Sequence, residues 1–178
     1  MNNPVESLLE EDHASLGQLL IQLDAELRKQ NIAQAFELLD LFWARLAVHI
    51  RAENLHLFPA LAAAPAALFT GKGVLPTFEE ALNLLLLLRS DHDFFMKELA
   101  RVKRVAREIS AGQSEAEREE VEELRQRLTV IRQRLETHNR LEEEQAYVWP
   151  SLLFDEITIT HLCDQLLHEL ENLPPRFG

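Results

Sequence analysis

His49-Ile50-Arg51-Ala52-Glu53-Asn54-Leu55-His56-Leu57-Phe58-Pro59 is the stretch on which the reading of this chain turns. His49 and Glu53 are four residues apart, which on a helix puts both side chains on one face, one turn apart. A neutral imidazole and a carboxylate so placed form a transition-metal ligand pair. His138-Asn139-Arg140-Leu141-Glu142 repeats the spacing, and His13 and His92 each precede one pair. The order along the chain is therefore His, His-x-x-x-Glu, His, His-x-x-x-Glu.

Working outward, the 178 residues suffice for one domain with a sizeable core. With 47% hydrophobic and 27% charged residues, the composition is that of an ordinary globular protein. Only 5 Gly and 7 Pro punctuate it, which favours long helices over strands and turns. The net charge of -12 argues against nucleic acid or an anionic membrane as partner. It points to no protein partner. A single Cys, Cys163, forms no internal disulfide, so nothing points to an oxidising compartment. Met1-Asn2-Asn3-Pro4-Val5-Glu6 lacks the basic start and apolar core of a signal peptide. The apolar run Leu84 to Leu88 is too short to span a bilayer. The expected location is cytoplasmic.

The spacing predicts four long helices. Asn3-Pro4-Val5-Glu6 reads as a capped start for a helix from Pro4 to about Lys29, with Leu9, His13, Leu16, Leu20, Leu23 and Leu27 on one stripe. Asn31 with Gln34 repeats the start signal for a second helix. It carries Phe36, Leu39, Phe42, Leu46, His49, Glu53 and His56 on one side and continues to about Leu61, past Pro59. Ala62 to Pro76 reads as a structureless loop. Thr77 and Glu80 form a capping box for a third helix, with the stripe Leu85, Leu88, His92, Phe95 and Leu99 and an end at Gly112. Ser114-Glu115-Ala116-Glu117 opens a fourth, limited by Pro150, with Val121, Leu124, Leu128, Ile131, Leu135, His138 and Glu142 inward. The charge-rich segments Arg101 to Arg107 and Glu115 to Glu123 read as a solvated tip. A fifth helix is expected from Glu156 to Glu171, capped by Asp155 and packed through Leu162, Leu166, Leu167 and Leu170.

The fold class is thus all-α: an up-down-up-down four-helix bundle over 1–152, with an additional C-terminal helix and tail, 153–178, packed on the same domain. Counting from the turn at Gln30-Asn31, His13 lies 17 residues before it (30 − 13) and His49 18 after it (49 − 31), so they should meet. About Gly112 the counts are 20 (112 − 92) and 26 (138 − 112), a poorer match that a longer loop or a stagger must absorb.

His13, His49, Glu53, His92, His138 and Glu142 all fall on apolar stripes, an expensive place for a carboxylate unless cations compensate its charge. Six ligands exceed one tetrahedral zinc and suit two five- or six-coordinate ions bridged by the Glu carboxylates. Mixed imidazole and carboxylate favours iron, with manganese or zinc as alternatives. One Cys cannot hold an iron–sulfur cluster.

With His13, His49-x-x-x-Glu53 followed by Leu57-Phe58-Pro59, Asp91-His92 and His138-x-x-x-Glu142, the sequence resembles the hemerythrin-like, HHE cation-binding family over roughly residues 8 to 152. The resemblance implies a bundle around a non-haem di-iron centre, with Glu53 and Glu142 as bridges and the four His as terminal ligands. Oxygen-carrying members have a second His one turn after the third-helix His. Met96 stands there, leaving one coordination place for water or a ligand from elsewhere. Asn54 stands where relatives often have a second acidic residue. Pro150 lies two residues beyond the place the first half would give it, so that Glu144, not Glu142, has the Glu-to-Pro spacing of Glu53. Glu142 is preferred because four residues is a helix-face spacing, with Glu143 next.

Around this set, His56 reads as a boundary residue, with an extra ligand as the alternative. Tyr147 reads as an aromatic lid, with a hydrogen bond to a small molecule on the metal as the alternative. His161 and His168 read as packing or surface residues, Cys163 as a buried thiol, and Trp43 and Trp149 as packing. The expected function is a di-iron protein that binds or senses oxygen, nitric oxide or peroxide. Iron handling or iron–sulfur cluster repair, a di-iron oxidase or peroxidase, and a metal-free helical interaction module are the alternatives.

Overall fold

The structure, a computed structural model, describes residues 4–111, 117–175 and 177. The caps expected at Asn3 and Ser114 and the stop at Gly112 lie outside the described residues. Helices α1 (Pro4–Arg28), α2 (Ile32–Ala52), α4 (Phe78–Ala111) and α5 (Glu117–Leu141) form the bundle, each packed against the next and α5 back against α1. Every apolar position of the predicted stripes on α1, α4 and α5 is buried, as are Leu39, Phe42 and Leu46 of α2. The core reaches the charge-rich tip, where Val102, Ala106, Val121 and Leu124 are buried beneath it. No described helix is long and apolar enough to cross a membrane.

The interior is two apolar clusters separated by a polar layer. One runs from Leu16, Leu46, Phe95 and Leu135 towards the α1–α2 turn. The other holds Leu9, Leu57, Leu88 and Ala146 at the opposite end. His13, His49, Glu53, His92, His138 and Glu142, all buried, sit between them.

Both ligand-bearing helices change winding at their carboxylate. A π turn, Glu53–Leu57, joins α2 to α3 (Phe58–Ala63), and a second, Glu142–Ala146, follows α5. The cause is the proline that comes after. Inside a helix it cannot donate to the residue four before it, and its ring clashes with that carbonyl. The π turn re-routes the ladder: the Phe58 N–H donates to the Glu53 carbonyl, and the Tyr147 N–H to the Glu142 carbonyl at 2.9 Å. Pro59 and Pro150 then fall in the first turn of the next segment, where no N–H is needed. In the second half a two-residue turn, Tyr147-Val148, precedes α6 (Trp149–Leu153), which accounts for the two-residue displacement of Pro150.

Two local readings are corrected. Asn31 does not cap α2: its side chain turns back and donates to Glu26 at 2.8 Å, while Gln30 takes the left-handed conformation at φ 59°. The segment read as structureless contains a short 3-10 turn, Ala66–Leu68, and a hairpin of β1 (Thr70–Lys72) and β2 (Leu75–Thr77), paired Thr70 to Thr77 and Lys72 to Leu75. Gly73, at φ 64°, opens its two-residue turn, the conformation such turns demand of their first residue. The Trp149 indole N–H donates to the Val74 carbonyl at 3.2 Å and fixes the hairpin over this end of the bundle.

The capping box at α4 forms as expected, with the Thr77 N–H donating to Glu80 at 2.8 Å and the Glu80 N–H to the Thr77 hydroxyl at 3.3 Å. Asp155 caps α7 (Glu156–Glu171), which packs on α1 and α2 through Leu162 and Leu166. Leu167, expected inward, is exposed. Replacing the fully buried Phe42 by Ala should cost about 3–5 kcal/mol, read as a lower midpoint in urea unfolding; a change below about 1 kcal/mol would contradict the core placement.

Candidate metal centre

The six residues expected from the sequence meet in the polar layer. His13 Nε2 lies 3.1 Å from His49 Nε2, and His92 Nε2 lies 3.2 Å from His138 Nε2. The second pair is as close as the first. With helix ends at Ala111 and Glu117, His92 is 19 residues before one (111 − 92) and His138 is 21 after the other (138 − 117), so the counts nearly balance.

Each carboxylate reaches both pairs. Glu142 Oε2 is 3.4 Å from His13 Nε2, while its Oε1 is 3.0 Å from His138 Nε2 and 3.6 Å from His92 Nε2. Glu53 Oε2 is 3.4 Å from His49 Nε2 and 3.2 Å from His92 Nε2. Glu53 Oε2 and Glu142 Oε1 are nonetheless buried without an aligned hydrogen-bond donor. His13, His49, Glu53 and Glu142 offer ligand atoms all within 4.8 Å of one another, and so do His92, His138 and Glu142.

The far sides of the rings fix which nitrogen is free. The His13 Nδ1–H donates to Glu143 at 2.8 Å, the His49 Nδ1–H to Asp12 at 2.9 Å, and the His138 Nδ1–H to Asp91 at 3.3 Å. In the neutral tautomer these bonds select, each Nε2 carries only a lone pair. In the His13–His49 pair two such lone pairs face each other across 3.1 Å and repel unless a proton or a cation lies between them. Carboxylate support behind imidazole is also the usual arrangement of metal-ligating histidines. The donor set, the two unsatisfied carboxylate oxygens and the facing nitrogens all fit a cation.

The hemerythrin HHE cation-binding domain model matches residues 5–150. The chain belongs to that family. Comparison with curated proteins and with solved structures gives no match. Family membership and the buried His/Glu cluster together support binding of metal ions.

The alternatives around this HHE site separate cleanly. Glu144 is exposed, and Glu143 is half-buried behind His13. His56 is turned out of the site by the π turn and lies 3.6 Å from Glu169 of α7. His161 and His168 are exposed, and Cys163 is only half-buried. Tyr147 is more than a lid. Fully buried, it donates its O–H to Glu53 Oε1 at 2.6 Å and comes within 3.0 Å of His13 Nε2 and 3.3 Å of Glu142 Oε2.

The supporting carboxylates went unread in the sequence, although a signal was present. Asp precedes His in both Asp12-His13 and Asp91-His92, and each Asp supports the histidine of the neighbouring helix. Arg45 and Arg134, each four residues before the paired His, hold these aspartates at 2.5 and 2.6 Å. The halves thus share Arg-Leu-x-x-His-x-Arg-x-Glu, residues 45–53 and 134–142.

Without cations, protons must balance the buried carboxylates. Burial and the neighbouring Glu142 push Glu53 up, but the charge of His49 and the close approach of the His49 and His92 imidazoles outweigh them and hold it at about 2. Burial pushes His92 down, but Glu142 and Glu53 overcome it and raise it to about 9. Burial likewise opposes the rise of His49, which Glu53 and Asp12 hold well above the usual imidazole range. The His92 contribution to metal-free stability is complete below its ordinary 6.5 and lost as pH rises through about 9. The Glu53 contribution is complete above 4.5 and lost as pH falls through about 2. Chelated protein should therefore melt at progressively lower temperature from neutral pH to about pH 10; a melting temperature flat over that range in calorimetry would rule this protonation pattern out.

Proposed function

We propose that His13, His49, Glu53, His92, His138 and Glu142 hold two iron ions, with both carboxylates bridging, and that the loaded centre binds a small ligand such as oxygen, nitric oxide or peroxide. The facing Nε2 pairs at 3.1 and 3.2 Å carry this reading. Bound iron would supply Lewis acidity and one-electron redox chemistry. Manganese and zinc suit the same donors less specifically.

The chain's own part is placement and exclusion. Asp12, Glu143 and Asp91 hold three imidazoles with Nε2 inward. The apolar clusters on either side of the layer keep bulk water from it. Phe58 lies flat on His92, with ring centroids 5.6 Å apart and 6° between the planes, and Phe95 meets His138 edge-on at 5.2 Å. These rings put apolar surface against the His92 and His138 imidazoles. Met96 is half-buried on the His92 side and extends no imidazole, in keeping with a coordination place left for an external ligand.

Protein from iron-supplemented cells should carry two irons per chain by elemental analysis. The reduced form should give a nitrosyl signal with nitric oxide, and the oxidised form a new charge-transfer band with azide. Iron without either response leaves storage or donation as the reading, and rapid transfer to an apo acceptor would then distinguish it. Asp12→Asn or Asp91→Asn should keep the helical content and weaken metal binding by about 10–100-fold, measured by chelator competition; unchanged affinity would remove the aspartates from the site.

A further inference from the structure

In each π turn the backbone bond closes on the fifth residue after the carboxylate, and in both halves that residue is aromatic: Phe58 after Glu53, Tyr147 after Glu142. The two rings take equivalent places. Phe58 lies on His92, and Tyr147 lies against His13 with centroids 5.4 Å apart. They differ by one oxygen. The Tyr147 hydroxyl is 2.6 Å from Glu53 Oε1, 3.0 Å from His13 Nε2, 3.3 Å from Glu142 Oε2 and 3.5 Å from His49 Nε2. These four side chains are one complete donor group.

The hydroxyl is not needed to fill space, since Phe58 fills the matching space without one. A buried hydroxyl also carries a desolvation cost that a phenyl ring avoids. Holding Glu53 in place would need one hydrogen bond at the edge of the group. Instead the oxygen lies among all four donors, where a fifth ligand atom belongs.

We propose that Tyr147 is an oxygen ligand of the ion held by His13 and His49, so that the centre has one phenolate-bearing position and one, at His92 and His138, whose open place is the one that Met96 leaves unfilled. The inference rests on the proposed two-ion centre. Ligation forms a metal–oxygen bond, breaks the phenol O–H bond and releases that proton to solvent. No electron is transferred. The small external ligand then binds on the His92 side.

Ferric phenolates absorb in the visible, and excitation in that band enhances ring vibrations of the coordinated phenolate alone. Tyr147 is the single tyrosine, so ring-deuterated tyrosine labels it uniquely in the unaltered chain. Iron-loaded, air-oxidised protein should give resonance-Raman phenolate modes that shift on deuteration. Tyr147→Phe should abolish the band and these modes while retaining two irons by elemental analysis. The labelled wild type decides the matter even if that variant fails to fold. Two irons bound with no label-sensitive phenolate modes would overturn the ligand role and leave the centre standing. Failure to take up iron at all would overturn the centre, and this inference with it.

Discussion

Everything in this bundle is arranged around two carboxylates that have been taken out of water. An ionised Glu in an apolar interior is costly unless opposite charge reaches it, and Glu53 and Glu142 are fully buried. Their neighbours are imidazoles whose outer nitrogens are engaged by Asp12, Glu143 and Asp91, so the inner nitrogens turn towards the carboxylates and towards each other. Such a layer is stable only with positive charge in its middle, supplied by protons or by metal ions. The two apolar clusters are the converse of this constraint. Each closes one side of the layer, and neither could close over it if the charge were left unbalanced.

The layer is built twice from one pattern. In each half an Asp-His helix lies beside an Arg-Leu-x-x-His-x-Arg-x-Glu helix, Arg holds Asp, Asp holds the neighbouring His, and the helix changes to a π turn at the Glu. The halves then diverge where chemistry could differ: Phe58 against Tyr147, Asp91 reaching one histidine at 3.3 Å where Asp12 reaches its own at 2.9 Å, and a His92 Nδ1 with no hydrogen-bond partner where His13 has Glu143. A pseudo-symmetric frame thus carries an asymmetric interior.

Much of this was legible in the residues. Helical periodicity placed the long helices, because Leu, Phe and Val at steps of three and four leave few other ways to bury them. The two His-x-x-x-Glu pairs and the two lone histidines fell on those same stripes, so the layer could be drawn before any coordinate. Three features escaped for stated reasons. The π turns are set by a proline several residues downstream, and an α-helical count cannot represent the extra residue; that is why His56 seemed to follow His49 and Tyr147 seemed peripheral. Asn31 has the residue type of a cap but finds Glu26 as a better partner. The hairpin at Thr70 to Thr77 is too short for a period, and its hold on the bundle comes from Trp149, far away in sequence.

The π turns also govern how such a chain can change over evolutionary time. Loss of one residue between His49 and Pro59 would rotate everything after it by about 100°, swinging Phe58 off His92 and driving Pro59 into a ladder that cannot take it. The two apolar halves can drift by exchanging one side chain for another. Within the span from each paired histidine through its π turn the residue count is the same in both halves, and the second half adds its two extra residues, Tyr147-Val148, only after that turn. A change of length should therefore be tolerated beyond the π turn before it is tolerated inside it.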